Sequence, residues 1–110
     1  MSGSDIFTGT LDLLILKAVA REPLHGYAIG RWIRQQSRET LQIEEGALYP
    51  ALHRLEGKGL LSSDWGASET GRRAKFYALT PAGRTALVTD EERWLAHSEA
   101  VRTVLRGAES

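Results

Sequence analysis

Few residues in this chain could do chemistry, and their spacing narrows what that chemistry is. Three histidines, His25, His53 and His97, lie far apart, with no HExxH-type pair, no nucleophile motif and no glycine-rich phosphate cradle. Cysteine is absent, which excludes disulfides, thiolate catalysis and Cys-based zinc sites. No enzymatic activity, metal or cofactor is expected. What remains is cationic and hydrogen-bonding. Arg72, Arg73 and Lys75 crowd into "TGRRAKFY", and Tyr49, His53, Arg54 and Lys58 accompany a leucine stripe in "GALYPALHRLEGKGLL". Cations at a loop tip suit phosphates or a narrow minor groove, and polar side chains on a helix suit base edges.

Composition limits the partner. Fourteen basic residues balance fourteen acidic ones, which argues against an indiscriminate polyanion binder. The charge is unevenly placed, however. Residues 46–84 hold six basic and three acidic side chains, and residues 85–110 hold three arginines and five acids. A middle segment more basic than the C-terminal one points to a local anionic partner. The N-terminal "MSGSDIFTGT" lacks a basic region followed by an apolar run, so no secretory signal is expected. The longest nearly apolar run, "LDLLILKAVA", is interrupted by Asp12 and Lys17 and is too short to span a bilayer. A cytoplasmic protein of one domain, with a modest core, is the expectation for 110 residues.

Positioning those side chains takes a definite series of elements. Thr8 or Thr10 is the expected cap of a first helix running to about Ala20, apolar nearly all round. A second helix fits "HGYAIGRWIRQQS", with His25 at its start, Ile29 and Ile33 inward, and Arg31, Arg34 and Arg38 outward. "RETLQI" reads as a connector or a short strand. A third helix carries Leu48, Leu52 and Leu55 on one face and stops at the "GKG" of 57–59. "LLSSDW" and "AKFYALT" read as strands around the polar turn "GASETGRR", a hairpin with a basic tip. Phe76 and Tyr77 must face opposite sides of it. Thr80 then caps a last helix with Pro81 at its first position, reaching about Arg106.

Three helices followed by a basic hairpin is the order of a winged helix-turn-helix. The fold expected is mostly α with a small β-hairpin, with residues 1–80 as the winged helix-turn-helix and 81–110 as a long C-terminal dimerisation helix. Pro50 sits oddly among the leucines of the third helix. In the first turn its missing N–H would need no helical partner, so it is read as marking the helix start. The leucines then hold the helix on the domain and leave Tyr49, His53 and Arg54 for the major groove or phosphates. Leu87, Trp94, Val101 and Leu105, completed by Leu95 and Val104, repeat at helical steps along the last helix. That stripe is too long for a lone hairpin to cover, and the apolar first helix adds Leu11 and Leu14 to the expected interface.

With these residues in view, the chain resembles the PadR-like transcriptional regulators. The resemblance rests on "GTLDLLILKAV", "HGYAI", "GALYPALHRLEGKGLL" and "RRAKFYALTPAGR", and runs from about Thr8 to Leu87 without a gap. "LQIEEGALYPALHRLE" and "RRAKFYALT" look closest to the short PadR-related regulators common in acidobacteria. Glu44-Glu45 departs from the pattern, because a small capping residue is usual before that helix. Two acids suit a helix N-terminus but repel nearby phosphates. The resemblance implies a homodimeric repressor that pairs through the helix after the wing and binds dyad-symmetric operators. It also implies an alternative, a sensing or interaction module with weak DNA binding. Some short members hold planar drugs between paired tryptophans, so Trp94, with Trp32 nearby, is a candidate ligand site for a planar drug or phenolic.

Overall fold

The apolar run around Leu14 folds into a central helix of the body. The computed structural model describes residues 3–107, and its first helix, α1, spans Gly3–Ala18. Ile15, Leu16 and Ala18, with Val19 just beyond, are buried. The helix begins upstream of Thr8 and Thr10, so neither caps it. Threonine is a cap signal only where the helix starts; mid-helix its hydroxyl can serve another partner, and Thr10 accepts a hydrogen bond from Trp94.

Helix α2 (Gly26–Gln36) is capped by a histidine. His25 is extended, and its Nδ1 accepts the Ala28 N–H at 3.2 Å. Ile29 and Ile33 enter the core as the spacing requires. The helix ends in two successive left-handed residues, Arg38 (φ 54°) and Glu39 (φ 67°), with the Glu39 N–H on the Arg34 carbonyl. This turn reverses the chain, and residues 37–44 contain no strand.

Helix α3 spans Glu45–Gly57 and buries Leu48, Ala51, Leu52 and Leu55. Pro50 is its sixth residue, well past the first turn, so the reading of it as a start marker is corrected. It deprives the Gly46 carbonyl of its i+4 donor, an interior cost of about 3 kcal/mol. Burying a leucine contributes about 1.5–3 kcal/mol, and three leucines outweigh one proline. At the other end Gly59 adopts φ 77°, the Leu60 N–H returns to Leu55 and the Gly59 N–H to Glu56. That pair of bonds is a Schellman cap, which needs glycine at the left-handed position.

The wing is an antiparallel pair, β2 (Leu61–Ala67) and β3 (Arg73–Leu79), in register from Leu61↔Leu79 to Ala67↔Arg73. A two-residue strand, β1 (Leu24–His25), pairs with Tyr77 and Phe76 on the far side of β3. It is too short to leave any alternation in the sequence. Tyr77 faces the core, and Phe76 takes the other face against the His25 ring at 5.3 Å.

Helix α4 (Pro81–Gly107) is fastened at its first turn. The Thr80 hydroxyl donates to the Gly59 carbonyl at 2.7 Å and accepts the Gly83 N–H at 2.9 Å, and the Thr80 N–H reaches the Leu60 carbonyl. The helix therefore starts pressed against the turn that follows α3. Gly83 is the contact point, because a Cβ there would collide with the Leu60 carbonyl oxygen and meet Leu79 Cδ1 at 2.9 Å. Helix propensity alone would favour alanine by about 1 kcal/mol. The collision reverses that sign, and Gly83→Ala is expected to cost about 1–3 kcal/mol. Urea unfolding followed by circular dichroism reads the difference; a variant as stable as the parent would show that α4 can lift off this turn.

Candidate nucleic-acid interface

The seating of α3 decides which of its side chains face outward. Tyr49 and His53 are one turn apart and exposed, Tyr49 at 45%. The Tyr49 ring rests on the first turn of α2, where a Cβ on Gly26 would lie 2.7 Å from Cε1 and 2.8 Å from the hydroxyl. The glycine of "HGY" thus gives the tyrosine a backbone platform while one side of it stays open. Arg54 does not join them. One residue on from His53 the helix has turned by about 100°, which carries Arg54 toward α1. There its Nη2 pairs with Asp12 Oδ1 at 2.5 Å, and its Nε is buried without a hydrogen-bond partner. Its expected place on the outer face is corrected: it bolts α3 to α1. Lys58 is exposed, but at the C-cap, the opposite end of α3 from Tyr49.

The wing register places Ser63, Trp65, Arg73, Lys75 and Tyr77 on one face, since directly paired and alternate residues share a side. Tyr77 and Ser63 sit at the core end of that face, and Trp65 and Arg73 lie farther out. The Arg73 guanidinium stacks over the Trp65 ring at 4.8 Å, and that indole is 58% exposed. Lys75, expected to reach DNA from beside the hairpin tip, is paired with Glu56 at 3.3 Å and stands 5.8 Å from the Tyr77 ring centre. Glu56 also accepts the Ser63 hydroxyl at 2.5 Å. The Ser63 hydrogen bond, then Lys75, hold its carboxyl below the usual carboxylate range, against partial desolvation. A turn over Ser68–Gly71 closes the hairpin with Gly71 at φ 82°, and Glu69 at the tip pairs with Arg31 of α2 at 3.5 Å. Arg72 and Arg73 form no ion pair among the described residues.

Between the start of α2, α3 and the wing lies an open cleft of about 510 Å³, lined among others by His25, Tyr27, Tyr49, Trp65, Arg73 and Lys75. The sequence reading missed Trp65 and Tyr27. Strand alternation could have placed Trp65 opposite Lys75, whereas nothing local marks Tyr27 as exposed, with Arg31 over its ring at 5.5 Å.

On α4, the expected interface residues divide. Leu87 is 6% exposed and belongs to the protomer's own core, so it is withdrawn from the interface set. A side chain already covered has almost no area left to offer a partner. Leu11 and Leu14 of α1 are half-buried against that core. Trp94 donates its indole N–H to Thr10 at 3.1 Å, and Lys17 pairs with Glu91 at 3.1 Å. Leu95, Val101, Val104 and Leu105 are 42–70% exposed. Trp32 packs on the core from α2, and no ring contact joins it to Trp94 among the described residues. Those residues also contain no cluster of metal-ligating side chains, and no helix is long and apolar enough to cross a membrane.

The comparisons with known proteins agree with this geometry. The model of the transcriptional regulator PadR-like family matches residues 15–89, which include α2, α3, the wing and the start of α4. The chain is 42% identical over 96 residues to transcriptional regulator Rv3488 of Mycobacterium tuberculosis, covering 86% of this chain and 82% of that one. It is similar in structure to a transcriptional regulator from Clostridium thermocellum, with a TM-score of 0.80 and 31% identity over 90% of this chain and 96% of the other. A PadR-like transcription factor from Bacteroides fragilis gives a TM-score of 0.74 at 33% identity, covering 92% and 95%. The family match spans the helix-turn-helix and the wing together, and the chain belongs to the PadR-like family of transcriptional regulators.

Proposed function

We propose that this chain is a homodimeric, cytoplasmic repressor of the short PadR-like form that binds a dyad-symmetric DNA operator. The observation that carries this reading is the pairing of two outward faces. Tyr49 and His53 stand exposed on α3, and Arg72 and Arg73, which form no ion pair among the described residues, stand at the wing beside them. In a winged helix the N-terminal part of the recognition helix enters the major groove. Tyr49 and His53 read base edges there, and Arg72 and Arg73 bind phosphates or the adjacent minor groove. Glu44 and Glu45, exposed at the start of α3, face the same polyanion and moderate affinity. A second copy covers Trp94, Leu95, Val101, Val104 and Leu105 of α4, with Leu11 and Leu14 of α1 alongside, in an isologous interface. Because Trp94 already donates to Thr10, a packing role suits it better than stacking on a drug or phenolic.

A gel shift with the DNA upstream of the protein's own reading frame tests the whole reading. The roles within it separate cleanly. Replacing Arg72 and Arg73 together by alanine should weaken binding to all sequences and flatten the salt slope by roughly one to two units. Arg54→Ala should leave that slope unchanged while lowering the unfolding midpoint, because its partner Asp12 is mostly buried. Equal slopes for the double variant and the parent would remove the wing from the binding surface.

Base reading is tested by selection from random duplexes. Tyr49→Phe and His53→Ala should each relax the preferred operator at one position per half-site, costing on the order of 1–3 kcal/mol there. An unaltered preference in both variants would assign base reading to other residues.

For the dimer, Val101→Glu would bury an unpaired carboxylate in the interface. Sedimentation should then show monomers, with the winged domain still folded by circular dichroism. A persistent dimer would place the interface away from distal α4.

A further inference from the structure

One carboxylate joins the recognition helix to both strands of the wing. Glu56 lies in the last turn of α3; its Oε2 accepts the β2 hydroxyl of Ser63, and its Oε1 faces the β3 ammonium of Lys75. The junction sits where the wing leaves the core. Ser63 is paired with Tyr77, which is buried, and Lys75 is paired with Trp65, which is exposed. Lys75 is thus confined between the Glu56 carboxylate and the Tyr77 ring, while Arg73 one step farther out stacks on Trp65. Of the three cations at the wing, the innermost is neutralised by the protein itself.

We propose that Glu56 is a positioning residue for DNA recognition, which fixes the wing against α3 and withholds the charge of Lys75 from the DNA backbone. The inference rests on the DNA-binding reading above. Its physical content is competition between two oxyanions for one ammonium. A phosphate must displace a carboxylate that Ser63 holds in place and that is already close to Lys75. Each phosphate contact that does form releases condensed counterions and adds about 0.9 to the slope of log K against log salt. A Lys75 held by Glu56 contributes no such increment. Affinity is therefore set by Arg72 and Arg73, and the wing angle by Glu56.

Glu56→Gln separates the two parts of the role. The amide is nearly isosteric, and its oxygen still accepts the Ser63 hydroxyl, so the wing keeps its angle while Lys75 loses its counter-ion. On a duplex of mixed sequence, this variant should bind more tightly at low salt, with a slope steeper by about 0.9. Adding Lys75→Met to it should restore the parental slope, and Lys75→Met alone should leave that slope unchanged. Arg73→Met should lower the slope in either background, which shows that the assay detects wing contacts. Glu56→Ala removes the Ser63 bond as well, and amide hydrogen exchange in β2 and β3 should then be faster than in Glu56→Gln. A parental slope in Glu56→Gln, or a reduced one in Lys75→Met alone, would overturn the proposal, because Lys75 would then be free of the latch or on the DNA despite it. No binding by the parental chain would overturn the DNA-binding reading itself, and this proposal with it. Binding with slopes indifferent to Glu56 would overturn only the latter.

Discussion

The seating of α3 is the constraint on which the rest of the interface depends. Leu48, Ala51, Leu52 and Leu55 are each at most 3% exposed, and together they fix the rotation of the helix about its axis. Once that phase is set, Tyr49 and His53 must face outward and Arg54 must turn toward α1. The energies are consistent with this order of control. A buried leucine contributes about 1.5–3 kcal/mol, whereas an exposed ion pair contributes at most about 1 kcal/mol. The polar contacts of α3 refine a position that apolar burial has already chosen. Pro50 is tolerated for the same reason: it lies on the exposed side, and its lost hydrogen bond is small beside the stripe that holds the helix.

The polar contacts nevertheless act on something burial leaves soft. A smooth apolar stripe permits small rolls and slides, and Arg54 and Glu56 flank Leu55 on either side of it. Arg54 is tied to Asp12 of α1, and Glu56 to Ser63 and Lys75 of the wing. A roll in either direction would stretch one of these connections. Losing the Asp12 connection would leave a partly buried carboxylate without its partner. The rotation that burial sets for the Tyr49–His53 face is thus further restrained by two charged side chains that lie off that face. Gly26 completes the arrangement by letting Tyr49 lie directly on α2.

What could be read from the sequence was what depends on neighbours in the chain. The Thr80–Pro81 start of α4, the left-handed Gly59 after α3 and the two wing strands each come from local chemistry, and each is present. The order of elements made the PadR-like winged helix legible as a whole. The contacts that were not legible share a cause. Arg54 and Lys75 are cations of ordinary appearance, and nothing near them in sequence announces Asp12 or Glu56 as partners. Thr10 looked like a cap because threonine often is one, and its actual partner, Trp94, lies on the last helix. Strand β1 exists only because β3 offers it an edge.

Helix α4 shows why a repeating apolar pattern names a surface rather than a partner. Leu87, Trp94 and Val101 are seven residues apart, and the spacing is that of one continuous face. Along that face the surroundings change twice. Leu87 is taken up by the core, Trp94 is hydrogen-bonded to Thr10 on α1, and Val101 stands exposed with Val104 and Leu105 beyond it. Helix α4 is tied to α1 through Trp94 on Thr10 and Glu91 on Lys17, and the two helices border one surface. Any partner that continues the stripe from Trp94 to Leu105 must approach α1 as well, because Trp94 is already joined to it. A second copy of the chain meets that requirement with matching chemistry, since it brings the same exposed valines and leucines and the same half-buried Leu11 and Leu14. The PadR-like fold in this way spends the first third of α4 on its own core, and from Trp94 to Leu105 the same stripe passes from partly covered to exposed.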